Sequence, residues 1–266
     1  MNEPSGLSSA APETPRPRKP RYAVEVRQVH RLSPHMVRVT FGGEALRSFE
    51  WNGPAAHIKL IFGPAEPEPG AARPTMRTYT PRRFDPRGPE LDVDFVIHGE
   101  GPASSWAAQA SAGQSLTVAG PGRSYVIDAR APWYVLAGDE SAIPAIGTIL
   151  EALPAHVPAS ALIEVGDRAE EHPLTAVPRP HTSVRWLTRG REASVPGAVL
   201  EQAVRELNVP PGDGRIYIAC EADAMRRIRR YLLQERALAK TQLVTRGYWR
   251  LGATDHPDRD YGEDVG

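Results

Sequence analysis

Four short stretches of the chain combine residue types that can hold a flat, phosphorylated ligand and move charge across it. The first is Arg77-Thr-Tyr-Thr80, where a tyrosine ring between two hydroxyls suits stacking on a planar heterocycle and hydrogen bonding to its polar edge. The second runs from Asp94-Phe-Val-Ile-His98 through Gly99-Glu-Gly-Pro-Ala-Ser-Ser-Trp-Ala107, a strand, a glycine-rich turn and a helix start. Glycine lets backbone approach a ligand closely, the first helical turn offers unpaired N–H groups to phosphate, and Pro102 stands where a missing N–H costs nothing. The third is Gly138-Asp-Glu-Ser-Ala-Ile-Pro-Ala145, which follows an apolar run and opens a helix. It is not the glycine fingerprint of dinucleotide-binding folds, and Asp139 and Glu140 serve equally well as acids capping a helix N-terminus. The fourth, Arg246-Gly-Tyr-Trp-Arg250, joins two cations to two large rings. Arg168, just after the run ALIEVG, is placed either to meet a nucleotide 2′-phosphate or to lie in a solvated loop.

These motifs sit on two chemically different halves. From 21 to 130 the chain reads as short strands between Pro and Gly punctuation: YAVEVRQV, HMVRVTF, HIKLIF, TMRTYT, LDVDFVIH, SLTVAG and SYVI. In LDVDFVIH the residues Leu91, Val93, Phe95 and Ile97 share one face, and Asp92, Asp94 and His98 the other. Such strands predict a small antiparallel barrel, interrupted by one helix over PASSWAAQA. From 131 to 252 apolar runs (WYVLAG, ALIEVG, SVRWLT, RIYIAC) alternate with helical spacing in GDESAIPAIGTILEAL, VPGAVLEQAVREL and DAMRRIRRYLLQE. That alternation predicts a parallel sheet with crossover helices, whose ligands bind at the strands' carboxyl ends. The fold class is therefore a two-domain α+β chain, an antiparallel β-barrel followed by an α/β parallel-sheet domain. Residues 1–20 read as a disordered Pro- and Ser-rich leader, and 253–266 as a flexible acidic tail.

Lys plus Arg equals Asp plus Glu at 32 each, so no global charge draws the protein to nucleic acid or membrane. No window reaches the run of about 18 apolar residues that a membrane span needs. Cys220 is the only cysteine, which excludes an intrachain disulfide, a cysteine-ligated iron–sulfur cluster and a four-cysteine zinc site. Electron transfer would thus need an organic carrier. The lone cysteine and the absence of a signal-like N-terminus lead us to expect a cytoplasmic protein. Cys220 itself reads as a small buried hydrophobe, and Met225, Ile228 and Leu232 as the core stripe of a helix whose Arg226, Arg227, Arg229 and Arg230 form a solvated face.

In this order and spacing the four motifs resemble those of siderophore-interacting proteins, the ferric-siderophore reductase branch of the ferredoxin-reductase-like superfamily, over roughly Arg21 to Gly252. The resemblance implies a non-covalently bound FAD. Arg77, Thr78, Tyr79 and Thr80 would hold its ring, Asp94, Val96 and His98 would line it, and Gly101, Pro102, Ala103, Ser104 and Trp106 would sit near its pyrophosphate. It assigns Gly138, Asp139, Glu140 and Ser141 to a nicotinamide nucleotide, NADH or NADPH, with Arg168 the candidate for discrimination. Lys240, Arg246, Tyr248, Trp249 and Arg250 become candidates for the substrate, a ferric siderophore. The family pattern often carries lysine where this chain has Arg246, so the charge is kept while its placement changes. The implied activity is an FAD-dependent NAD(P)H:ferric-siderophore oxidoreductase, with no protein-held metal, a monomer, and some relatives served instead by a ferredoxin-type donor. A flavin reductase with another acceptor and a non-catalytic carrier of ferric chelate are the competing readings.

Overall fold

A computed structural model describes residues 19–63, 74–99, 101–190, 195–257 and 260–262. The first half forms seven strands: β1 (Arg21–Ser33), β2 (Met36–Gly42), β3 (Ile58–Phe62), β4 (Thr75–Tyr79), β5 (Pro81–Asp85), β6 (Glu90–Val96) and β7 (Ser115–Ala119). They pair antiparallel in the order β4-β3-β7-β1-β2-β6-β5. The two edge strands of this sheet, β4 and β5, are consecutive in the chain with only Thr80 between them. A sheet whose opposite edges are joined by one residue has to curl until they meet, which makes it a barrel closed at Thr80.

Alternation fills the interior. Val24 and Val26 from β1, Val37, Val39 and Phe41 from β2, and Leu91, Val93 and Phe95 from β6 are all buried in one cluster. Each such side chain contributes about 1.5–3 kcal/mol on removal from water. The opposite face of β6 is buried as well, because its acids are paired. Asp94 takes a two-pronged bond from Arg38 at 2.7 and 2.8 Å, and Asp92 accepts from Thr40 at 2.7 Å and from Arg83 at 2.9 Å.

Two strand expectations fail here. SYVI is extended but joins no ladder, with Val126 left 82% exposed. In its place β5, opening on Pro81 and carrying two arginines, completes the sheet; it lies on an edge, where a missing N–H is tolerated.

The second half is a parallel sheet of β8 (Tyr134–Asp139), β9 (Ala159–Val165), β10 (Thr182–Thr188), β11 (Arg215–Glu221) and β12 (Leu243–Trp249), ordered β10-β9-β8-β11-β12. The helices are α1 (Pro102–Ala108) against the barrel, then α2 (Ile143–Ala152), α3 (Ala198–Arg205) and α4 (Ala222–Arg230) around the sheet. The chain winds outward through β8, β9 and β10, then returns to add β11 and β12 on the other side. The topological switch point therefore falls between β8 and β11. Met225, Ile228 and Leu232 are fully buried, as is Cys220. The basic face of α4 is more engaged than expected. Arg226 pairs with Asp260, Arg227 with Glu201, and Arg229 donates to the Gly262 carbonyl, leaving Arg230 exposed.

The halves are tied together. Ser33 and His35, at the β1–β2 turn, both bond to Glu170, with the His35 imidazole 2.6 Å from its carboxylate. Arg82 makes a two-pronged bond to Glu151 at 2.8 Å and a third to the Leu174 carbonyl, and a Cβ on Gly147 would stand 2.6 Å from that carbonyl oxygen and 3.3 Å from the Arg82 Nε.

The expected leader lies outside the described residues but for Lys19 and Pro20. The expectation of a flexible tail is corrected for its described part. Asp260 is buried and accepts from Arg226, from His256 at 2.9 Å and from the Gly262 N–H, while its carbonyl accepts the Gly247 N–H. Gly247 has room for no Cβ because the Asp260 carboxylate lies 2.6 Å from where it would stand. Acidic composition suggested solvation; here Asp260 is the counter-ion of Arg226 on α4.

Candidate functional site

Between the barrel and the carboxyl edge of the parallel sheet lies a cleft of about 2320 Å3. Its barrel wall is built on the seam at Thr80. Arg77, Thr78, Tyr79 and Thr80 all line it. The Tyr79 ring leans on Phe95 at 4.5 Å between centroids, and burial pushes its phenol well above the ordinary tyrosine range, so it stays a neutral donor. Beside it come Asp94, Val96 and His98, then the turn Gly101, Pro102, Ala103 and Ser104, with the Ser104 hydroxyl accepting the His98 N–H at 2.8 Å. Trp106 departs from expectation. It packs against Phe41, Phe62 and Phe95 as barrel core and does not line the cleft. On a helix opening at Pro102, position 106 points back at the sheet the helix covers.

The opposite wall is the strand ends. At the carboxyl ends of β8, β9 and β11 stand three buried carboxylates, Asp139, Glu164 and Glu221, and each holds a helix start. Asp139 accepts from Ser141 N–H, Glu164 from the N–H groups of Gly197 and Leu200, and Glu221 from those of Asp223 and Ala224. Negative charge at a helix N-terminus is stabilising, and here it also stitches the strand ends together. Asp139 in addition accepts the Glu221 N–H at 2.9 Å and the Trp249 indole N–H at 2.8 Å. Burial, with the neighbouring charge of Glu140, pushes its carboxyl up to about 6 despite those donors.

Of the two acids expected as caps, Asp139 takes that role, while Glu140 reaches sideways to the Gly166 N–H and to Arg189. Glu140 and Ser141 line the cleft with Asp139; Gly138 does not. Gly138 is a packing glycine, since a Cβ there would stand 2.5 Å from the Ala219 carbonyl and from Ala142. Of the two placements open to Arg168, the structure shows the solvated one. It points to solvent, 86% exposed, near Glu171, and the cleft-lining arginine of this region is Arg189, gripped by Glu140 and Glu164.

The third wall comes from β12 and the turn before it. Lys240, Arg246, Tyr248, Trp249 and Arg250 all line the cleft. Tyr248 bonds through its hydroxyl to Tyr217 at 2.8 Å and to Thr80, so the two domains meet at a floor of tyrosines, with Tyr125 set edge-on to Tyr217. Burial raises the phenols of Tyr217 and Tyr248. Arg246 lies over the Tyr261 ring at 4.4 Å, and Arg250 pairs with Asp223 at 3.1 Å.

Sequence reasoning did not find His57, Lys59 and Arg123, which line the barrel side, nor the tail residues Asp255, His256 and Tyr261. A signal existed for Lys59, a cation interrupting the apolar run HIKLIF; Arg123 lay between two segments read as strands, SLTVAG and SYVI. Among the described residues no group of three or more His, Cys, Asp or Glu side chains is placed to hold a metal ion, and no helix is long and apolar enough to cross a membrane.

Comparison with known proteins places these features. Residues 131–252 match the family model for siderophore-interacting protein, and residues 25–72 and 64–125 match that for the siderophore-interacting FAD-binding domain. The chain is 32% identical to ferric vibriobactin reductase ViuB of Vibrio cholerae, over 84% of this chain and 87% of that one. It is 32% identical to the NADPH-dependent ferric-chelate reductase of Escherichia coli K12, over 77% and 84%. A crystal structure of a siderophore utilization protein from T. fusca superposes with a TM-score of 0.80 at 34% identity, covering 91% of this chain and 97% of that one.

Proposed function

The chain belongs to the siderophore-interacting protein family, and from that we infer that it is an FAD-dependent reductase of ferric siderophores, driven by NADH or NADPH. The observation that carries this reading is convergence: residues from all four motifs, two on the barrel and two on the parallel-sheet domain, line a single cleft.

The residues fit FAD. At Gly99 and Gly101 an added Cβ would meet nothing within 4 Å, so the turn before α1 opens onto free space, as a pyrophosphate site requires. Arg77, Thr78, Tyr79 and Thr80 would hold the ring, and Gly101, Pro102, Ala103 and Ser104 the pyrophosphate. When bound, the flavin supplies what this chain lacks, a carrier that takes a hydride and releases electrons singly.

The protein's own part is placement. Lys59, Arg123, Lys240 and Arg246 draw an anionic chelate into the cleft, and the tyrosine floor excludes water from its base. Asp139, Glu140 and Ser141 shape the strand-end crevice, where a nicotinamide nucleotide is expected. Fe(III) prefers hard oxygen donors more strongly than Fe(II) does, so reduction loosens the bound metal without any protein ligand. We assign FAD binding to residues 21–130 and nucleotide binding to 131–252, and take the protein to act as a cytoplasmic monomer.

The test is anaerobic stopped flow on FAD-loaded protein. NADH or NADPH should bleach the flavin, and a ferric siderophore added next should restore its colour while a ferrous trap fills. Bleaching without trapped Fe(II) would indicate another acceptor. No bleaching with either nucleotide would point to a ferredoxin-type donor, and a protein that stays colourless in excess FAD would overturn the reading.

A further inference from the structure

NADH and NADPH differ by one group, a phosphate on the 2′ oxygen of the adenosine ribose, which adds about one and a half to two negative charges at pH 7. Every other contact with a nicotinamide nucleotide is common to both. The choice between them falls to the charges that meet that ribose.

In a parallel sheet of this kind the turn after the first strand receives the pyrophosphate, and the ribose lies over the end of the next strand out. Here the first turn follows β8, and the strands beyond it are β9 and β10. Among the described residues, Gly166, Asp167, Glu170 and Arg189 line the cleft at those ends, and Glu140 reaches across from β8 to the Gly166 N–H. Arg189 is held beside the end of β9 by its own N–H, which bonds to the Val165 carbonyl at 2.9 Å. Its guanidinium lies over Gly166, where an added Cβ would stand 3.4 Å from it and 3.7 Å from the Glu140 carboxylate.

An arginine in that place would suit a 2′-phosphate if its charge were free. It is not free. Glu140 takes a two-pronged bond from it, and the wholly buried Glu164 takes another at 3.1 Å. One cation between two carboxylates leaves the trio net negative. Glu170 and His35 are paired with each other, and Arg168 does not line the cleft. Asp167, exposed at the end of β9, adds one more acid. One of its oxygens accepts the Ala169 N–H at 2.8 Å, and a carboxylate has acceptor sites enough to take a ribose hydroxyl as well.

We propose that this end of the cleft selects NADH over NADPH: Asp167 accepts the ribose 2′-hydroxyl, while Glu140 and Glu164 together withhold the Arg189 charge from a 2′-phosphate. The proposal rests on the nicotinamide-driven reductase reading above.

Calorimetric titration of FAD-loaded protein with ADP-ribose and with 2′-phospho-ADP-ribose tests it. Both carry the adenosine half of the nucleotide and neither can deliver a hydride, so binding is read apart from turnover. Wild type should bind ADP-ribose at least about tenfold more tightly. Glu140→Gln keeps an acceptor for the Gly166 N–H and loosens the grip on Arg189. It should narrow the preference about fivefold or more by tightening the phosphorylated ligand, with ADP-ribose affinity held within about threefold. Asp167→Asn, at an exposed position, should narrow it from the other side by weakening ADP-ribose. Glu164 is left intact because it also caps α3. A wild type that binds the 2′-phosphate equally well or better would overturn the proposal. So would a preference that neither variant changes, since the acids would then not be its source. Neither analogue binding, with no flavin bleaching by NADH or NADPH, would overturn the nicotinamide reading, and the proposal with it.

Discussion

Asp139 shows how much one side chain can be asked to do. It starts a helix, joins β8 to β11 and holds the indole of Trp249, all while buried. An acid whose folded-state pKa is raised contributes stability below its unfolded value, and that contribution is lost as pH rises through the folded one. For Asp139 the window runs from about 4 to about 6. The wild-type protein should therefore lose roughly 3 kcal/mol relative to Asp139→Asn between pH 4 and 7, read from urea midpoints of the two proteins. Asp139→Ala should cost about 2–4 kcal/mol at pH 4, because it strands the Trp249 and Glu221 donors, and less as pH rises through the window in which the wild type loses stability. Residue types announced an acid at the head of a helix. They did not announce its other two bonds, since Glu221 and Trp249 lie far along the chain and meet it only through strand order.

The same limit applies to whole elements. Strands with period-two alternation, such as β6, and helices with a clear apolar stripe, such as α4, were legible because burial imposes their pattern. The edge strand β5 was not, because an edge needs neither alternation nor a full set of donors. SYVI was misread because β-branched and aromatic residues suit an extended segment whether or not a partner strand is present. Trp106 and Gly138 were carried into the site by motif, and Arg168 by its place just after β9; the fold turns each of them elsewhere.

One consequence at this scale is testable. Glu164 is wholly buried in β9, yet it caps α3 and grips Arg189, so it supports a helix and a cleft side chain together. Glu164→Ala should destabilise the protein by roughly 3–5 kcal/mol, because it leaves the first N–H groups of α3 without their acceptor and Arg189 with Glu140 alone. Chemical denaturation gives the loss. Hydrogen exchange should place the new fraying at the first turn of α3.

In the molecule as a whole, the cleft exists only while the two domains keep their relative placement, and Glu170 is the clearest tie. Burial acts to raise its pKa, but the bonds from Ser33 and His35 outweigh that and hold it below the usual glutamate value. The sign is the reverse of Asp139: this contribution is present above about pH 4.5 and is lost as pH falls through the lower, folded value. Glu170→Gln should therefore split or broaden the thermal transition at pH 7 in scanning calorimetry, and the wild type should show the same broadening only on acidification. A single sharp transition for the variant at pH 7 would show that Arg82–Glu151 and the apolar contacts suffice by themselves.

Thr80 joins the two edges of the barrel, and no ladder pairs β4 with β5 among the described residues. In engineering terms the barrel is a bracelet with a covalent clasp, and the proposed flavin strand is one side of that clasp. A chain cut at Thr80 and rejoined through its old termini would keep all seven strands but leave two ends free to swing apart. Dyes on those ends would separate in the empty protein and draw together as ligand spans the gap, turning the enzyme's cleft into an optical gauge of its own occupancy.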